Sequence, residues 1–103
     1  MFQELTREEL KAGLAEGVLL VVDVREPHEY AAGRIPGAVS MPLSMFDPTA
    51  LPQPEDKQVI FSCAAGMRSL QALMAAQAAG VPITAHYRGG FKDWLMAGEE
   101  IER

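Results

Sequence analysis

One cysteine occurs in the 103 residues, and it stands where a thiol can be made reactive. Val59-Ile60-Phe61-Ser62-Cys63 is an apolar run that ends at the sulfur, and Ala64-Ala65-Gly66-Met67-Arg68-Ser69 leads on into Leu70-Gln71-Ala72-Leu73. This reads as a strand, a sharp loop and a helix, with the thiol at the first loop position. Loop amides with a helix N-terminus behind them form an anion cradle. The same setting lowers a thiol pKa from about 8.5 toward or below neutrality. A cysteine that merely fills a core needs no such loop, whereas Ala, Ala and Gly let the chain curl tightly and turn its amides inward. The chemistry implied is nucleophilic attack by a thiolate.

The elements that must hold this loop can be read on either side of it. Thr6-Arg7-Glu8-Glu9 is a capping box, and Leu10 and Leu14 lie on one face of a short helix ending near Gly17. Val18 to Asp23 is a continuous apolar run, as expected of a strand buried on both faces of a parallel sheet. Pro27 and the acids around it, with Gly33 beyond, mark a two-turn helix. Ala38 to Met41 is a short strand stopped by Pro42. Residues 43–57, rich in proline, read as an irregular connection with at most a short helical turn. Gln58 to Ser62 is the next strand. Arg68 to Ala79 is a helix with Leu70, Leu73, Met74 and Gln77 on one stripe and Gly80 as its cap. Pro82 to Tyr87 is the last strand, Arg88-Gly89-Gly90 a turn, and Phe91 to Ala97 a final helix closed by Gly98. Strands alternating with helices predict one α/β domain over residues 1–103, a three-layer sandwich around a mostly parallel sheet of about five strands. In such sheets ligands gather beyond the carboxyl ends of the strands. Asp23, Cys63 and the turn at Gly89 and Gly90 all follow strand ends there.

Composition narrows the class. A net charge of −5 argues against nucleic acid or an anionic membrane as partner, since both need a basic face. One cysteine and two histidines leave no structural metal site in view and exclude an internal disulfide or C-x-x-C redox pair. The polar, acidic start is unlike a secretory signal, and no apolar run is long enough to span a bilayer. A cytoplasmic, reducing location is the expectation, and there a lone thiol stays available. No cofactor is called for.

Cys63-Ala64-Ala65-Gly66-Met67-Arg68-Ser69 resembles the C-x-x-G-x-R-S active-site loop of the rhodanese family of sulfurtransferases. Asp23-Val24-Arg25-Glu26 through Gly33-Arg34-Ile35-Pro36-Gly37-Ala38 resembles the family's D-x-R…G-H-I-P-G-A element, with Arg34 where histidine is usual. Arg88-Gly89-Gly90-Phe91-Lys92-Asp93-Trp94-Leu95-Met96-Ala97-Gly98 resembles its G-G-x-x-x-W-x-x-x-G element. The three fall in the family's order and span nearly the whole chain. The resemblance implies that Cys63 takes the outer sulfur of a donor such as thiosulfate, becomes a persulfide, and passes the sulfur to cyanide or to a thiol such as glutathione or thioredoxin. The Ala64–Ser69 amides would stabilise thiolate and persulfide, each amide–anion bond contributing about 1.5–3 kcal/mol.

Alternatives stay open at the surrounding residues. Arg68 is either a cation for the donor's sulfonate or a helix-start residue pairing with an acid. Ser69 either hydrogen-bonds the thiolate or caps the helix. Met67 is neutral where a charge would strengthen anion attraction. Asp23 either braces the loop or forms a structural pair with Arg25 or Arg34, the structural role being favoured. Trp94 is read as core, and His86 and His28 as structural or surface residues rather than proton carriers. Two rival functions remain. A cysteine phosphatase or arsenate reductase needs arginine six residues after the cysteine, whereas Arg68 comes at five. A persulfide carrier or docking domain with little turnover is compatible with the fold.

Overall fold

The computed structural model describes residues 2–103, and its centre is a five-stranded sheet in the order β1-β5-β4-β2-β3 with every pairing parallel. In chain order the elements are β1 (Gln3–Leu5), α1 (Arg7–Ala15), β2 (Leu19–Asp23), α2 (Pro27–Ala32), β3 (Val39–Ser40), β4 (Gln58–Ser62), α3 (Met67–Ala78), β5 (Ala85–Tyr87) and α4 (Gly90–Met96). Two 3-10 turns, Leu43–Met45 and Pro48–Ala50, sit in the proline-rich connection, one more than expected. From β2 the chain moves outward to β3, then returns to place β4 on the other side of β2. The order of the strands thus reverses at β2, and in parallel sheets ligands gather beyond the carboxyl ends of the strands at such a point.

Apolar alternation along the strands feeds two cores, one on each face. Leu19 and Val21 of β2, Ile60 of β4, and Ala85 and Tyr87 of β5 pack with Leu10 of α1 and Phe91 and Trp94 of α4. Val22, Val59 and Phe61 pack on the opposite face with Ala72, Leu73 and Ala76 of α3 and with Leu51. The sheet is therefore covered on both sides, which is why its strands read as continuous apolar runs.

Several expected boundaries change. β1 was not foreseen: three residues before the Thr6–Glu9 capping box are too few for a period to show. They gain strand geometry by pairing with β5, Glu4 opposite His86. The last strand is shorter than expected, because Pro82 and its neighbours only lead into Ala85. The stripe assigned to the Arg68–Ala79 helix is also corrected. Its buried face is Ser69, Ala72, Leu73 and Ala76, while Met74 is 61% exposed. Small side chains let the helix lie close on the sheet, and the larger Met74 falls on the solvent side.

Candidate active site

Cys63 follows directly on β4, and its residue is 1% exposed. The chain then turns through Ala64 and Ala65 to Gly66, which caps α3 in a left-handed conformation at φ +92°. Gly66 has no side chain with which to cap this helix. The sulfur takes that place: Gly66 N–H donates to Cys63 Sγ at 3.1 Å and Ser69 N–H at 3.2 Å. Two amides that a helix start leaves without backbone partners thus point at one atom. Burial pushes the thiol up. Hydrogen bonds from the Ser69 hydroxyl and from the amides of Ser69, Ala65 and Gly66 outweigh it and hold Cys63 below its ordinary pKa.

The carbonyls of the same loop point the other way, into α4. Phe91 N–H donates to Cys63 O at 2.8 Å and Lys92 N–H to Ala64 O at 3.0 Å. Gly90, at φ +69°, makes this approach possible: a Cβ there would come within 2.5 Å of Ala64 O and 2.7 Å of Cys63 O. Gly66 in turn lies against the Arg88 carbonyl. The two glycine turns interlock, and amides face the sulfur because carbonyls are engaged elsewhere. Gly89, the residue before α4, lines a cleft of about 540 Å³ with Arg88, Glu4 and Ala65, so the cleft reaches the loop. A second hollow, about 480 Å³, lies at the opposite ends of the strands beside Leu19, Lys57 and Trp94, remote from the thiol in the fold.

The other sequence candidates separate into those at the sulfur and those behind it. Met67 is 76% exposed beside the loop. Arg68 turns to α2, where its guanidinium binds both Glu29 oxygens at 2.8 and 3.0 Å. The Arg68 contact in turn holds the Glu29 carboxyl down at about 2. Asp23 and Arg25 form a buried pair at 2.7 Å. The hydrogen bonds of the Asp23 carboxylate all go to Arg25, through its amide and its guanidinium, and none to the loop. Arg25 also donates to Gly33 O and lies 4.3 Å over the Phe91 ring, tying β2, the end of α2 and α4 together. Trp94 is core, its indole N–H donating to Glu100 O, and His28 is exposed.

Two residues at the site were not found from the sequence as parts of it. His86 is buried, with its ring 2.8 Å from Ser69 Oγ on one side and 3.1 Å from Glu4 on the other. The available signal was a histidine inside a strand of otherwise apolar character, which needs partners for both ring nitrogens. Glu29 was read only as a residue of its helix. Among the described residues, no group of three or more His, Cys, Asp or Glu is placed to hold a metal ion.

Comparison with known proteins identifies the family. The chain is 40% identical over 83 residues to an uncharacterised protein of Synechocystis, covering 81% of this chain and 46% of that one. It is 36% identical over 101 residues to the thiosulfate:glutathione sulfurtransferase of Homo sapiens, covering 84% and 88%. The structure of a human single-domain sulfurtransferase superposes with a TM-score of 0.77 at 34% identity, covering 90% of this chain and 95% of that one. The rhodanese-like domain matches residues 6–97, from the cap of α1 to the end of α4, and the chain belongs to that family.

Proposed function

We propose that the chain is a sulfurtransferase in which Cys63 carries the sulfur. The observation that carries this reading is the pair of amides, Gly66 and Ser69, donating to Sγ at 3.1 and 3.2 Å. A thiolate held in this way attacks the outer sulfur of thiosulfate. The S–S bond of the donor breaks, its electron pair leaves with sulfite, and Cys63 becomes a persulfide whose terminal sulfur is anionic. The loop amides of Ala64 to Ser69 stabilise that charge. A nucleophilic acceptor then takes the outer sulfur, and the electron pair returns to Cys63 as thiolate. Cyanide or a thiol such as glutathione or a thioredoxin-like protein has the required chemistry. The name of the human relative supports thiosulfate and glutathione as the pair. With one cysteine in the chain, nothing internal can resolve the persulfide, so the acceptor is another molecule. A reducing compartment such as the cytoplasm would keep Cys63 free.

The position of Arg68 supports sulfur over phosphate. It comes five residues after Cys63, one short of the spacing a phosphatase loop uses to wrap a phosphoryl group, and its guanidinium is engaged with Glu29. Incubation with thiosulfate followed by intact mass measurement tests the proposal. The expected result is a gain of one sulfur atom, absent in Cys63→Ala and discharged by glutathione or cyanide. No adduct with any sulfane donor would overturn it. An adduct that forms but is released by none of these acceptors would favour a carrier over an enzyme.

A further inference from the structure

Behind the nucleophile lies a line of four side chains from four segments of the chain. Ser69 Oγ is 3.5 Å from Cys63 Sγ and 2.8 Å from His86 Nδ1, and His86 Nε2 is 3.1 Å from Glu4 Oε2. Ser69 and His86 are wholly buried, and Glu4 alone reaches solvent, its side chain 39% exposed. Stabilising a thiolate by loop amides requires none of the residues beyond Ser69.

Accounting for donors and acceptors fixes what the line can do. A carboxylate only accepts, so Nε2 of His86 carries a proton toward Glu4. Two arrangements then satisfy the remaining groups. In the first, the Cys63 S–H donates to Ser69 Oγ and the Ser69 hydroxyl donates to a neutral imidazole at Nδ1. In the second, Nδ1–H donates to Ser69 Oγ and the Ser69 hydroxyl donates to the Cys63 thiolate. The two differ by the shift of two protons along existing contacts. Every donor has an acceptor in both.

We infer that His86 stores the proton of the Cys63 thiol, receiving it through Ser69 while Glu4 stabilises the imidazolium so formed. The thiol proton moves to Ser69 Oγ, the Ser69 hydroxyl proton moves to Nδ1, and the charges left are a thiolate and an imidazolium beside a carboxylate. No heavy atom is exchanged and no outside base takes part. His86 touches no substrate and acts through Ser69, so it is a positioning residue. The titratable groups against it are Glu4 from β1 and, by way of Ser69 on α3, Cys63. Its neighbour on β4 is Phe61, and the Phe2 ring packs 6.0 Å away, neither of them charged. The cleft beside Glu4 adds Arg7, Glu8, Arg88 and Asp93 along its walls. In sulfur transfer, the device would return each time the acceptor leaves Cys63 as thiolate.

The inference takes Cys63 as the nucleophile of the proposed reaction, but its test needs no sulfur donor. In ¹⁵N NMR of the imidazole nitrogens, capping Cys63 as a neutral mixed disulfide with methyl methanethiosulfonate should reduce the imidazolium population of His86 at neutral pH about tenfold. His28, exposed and remote from the line, serves as the internal control. Alkylation by iodoacetamide gives the second reading. His86→Asn presents an amide N–H that can still donate to Ser69 but cannot take up a proton, and the half-exposed Glu4→Gln removes only the carboxylate charge. Alkylation at pH 6 should fall about tenfold in the first and about threefold in the second, with the rates converging above pH 9. An imidazole signal indifferent to capping, or wild-type alkylation profiles in both variants, would overturn the inference. If His86→Asn fails to fold, the NMR of the wild-type chain and the Glu4→Gln profile decide it. A chain that shows the coupled titration yet accepts no sulfur would refute the proposed function and leave this inference standing.

Discussion

Arg68 is held by both oxygens of Glu29, so the positive charge nearest Cys63 in sequence is already cancelled. Met67, beside it and exposed, brings no charge of its own. In the proposed reaction an anionic donor would therefore meet the amide cradle without a free guanidinium from this loop. Glu29→Gln tests the consequence cleanly, because the glutamine oxygen can still accept the Glu26 N–H that Glu29 accepts now. Unmasking one positive charge near a surface site adds roughly 1 kcal/mol to anion binding, so KM for thiosulfate should fall about fivefold with kcat little changed. An unchanged or higher KM in steady-state assays would show that Arg68 does not face the donor. At this scale the turn that carries Cys63 was legible in the sequence, since an apolar run ending at the thiol and followed by Ala-Ala-Gly reads as a strand and a tight loop, which is what β4 and the start of α3 form. Glu29 and His86 were not. Their roles come from contacts 39 and 17 residues away, to Arg68 and Ser69, and no local pattern encodes such a distance.

Among the elements, α4 sets the loop more directly than its distance in sequence suggests. Its first amides hold the Cys63 and Ala64 carbonyls, and Gly90 gives the clearance. Gly90→Ala would force a Cβ against loop backbone that has no free direction in which to yield, besides straining a left-handed residue. A loss of about 2–4 kcal/mol in urea unfolding is expected, together with slower Cys63 alkylation in the folded protein. Gly98→Ala is the control, because that residue is also left-handed at φ +74° but has open space where the Cβ would go. It should cost only about 1 kcal/mol and leave alkylation unchanged. Equal losses of stability and reactivity in the two variants would show that clearance at the loop is unimportant. The helices were legible from caps and glycine stops, as at Thr6–Glu9. β1 and the buried face of α3 were not. A three-residue strand exists only through its pairing with β5, and a helix that packs through Ser69, Ala72 and Ala76 hides its inner face from a search for large apolar residues.

At the scale of the whole molecule, charged clusters tie together elements that the two apolar cores keep apart. The Asp23–Arg25 pair is buried to within 5% of full exclusion on both sides. Removing one partner of such a pair costs about 3–5 kcal/mol, because the other charge is left in a poor solvent. Asp23→Ala should therefore lose that much stability while the folded fraction keeps its Cys63 alkylation rate. A reactivity loss without a stability loss would instead make Asp23 a brace of the loop. A second cluster joins α1, β5 and α4: Arg7 binds both oxygens of Asp93, and the Tyr87 hydroxyl donates to the same carboxylate. The Tyr87 hydrogen bond, helped by Arg7 against the opposing effect of burial, holds Asp93 below its ordinary pKa. Glu29, held by Arg68, lies at about 2 instead of 4.5. For a carboxyl lowered in the folded state, the unfolded chain binds protons more readily, so its contribution is complete above the unfolded value and is lost as pH falls through the folded one. Glu29 thus supports the fold fully above about pH 4.5 and ceases to by about pH 2, with Asp93 adding to the same acid limb. Since the Glu29–Arg68 pair is partly screened, its share should be about 1 kcal/mol. Urea unfolding of wild type and Glu29→Gln at pH 7, 4 and 2 separates the ionic part from the rest. The stability gap between them should be full at pH 7, narrower at pH 4 and closed at pH 2. A gap of constant size across that range would mean that the Glu29 side chain stabilises the contact between α2 and α3 by shape alone, and the charge would then have no part in holding Arg68 away from the donor.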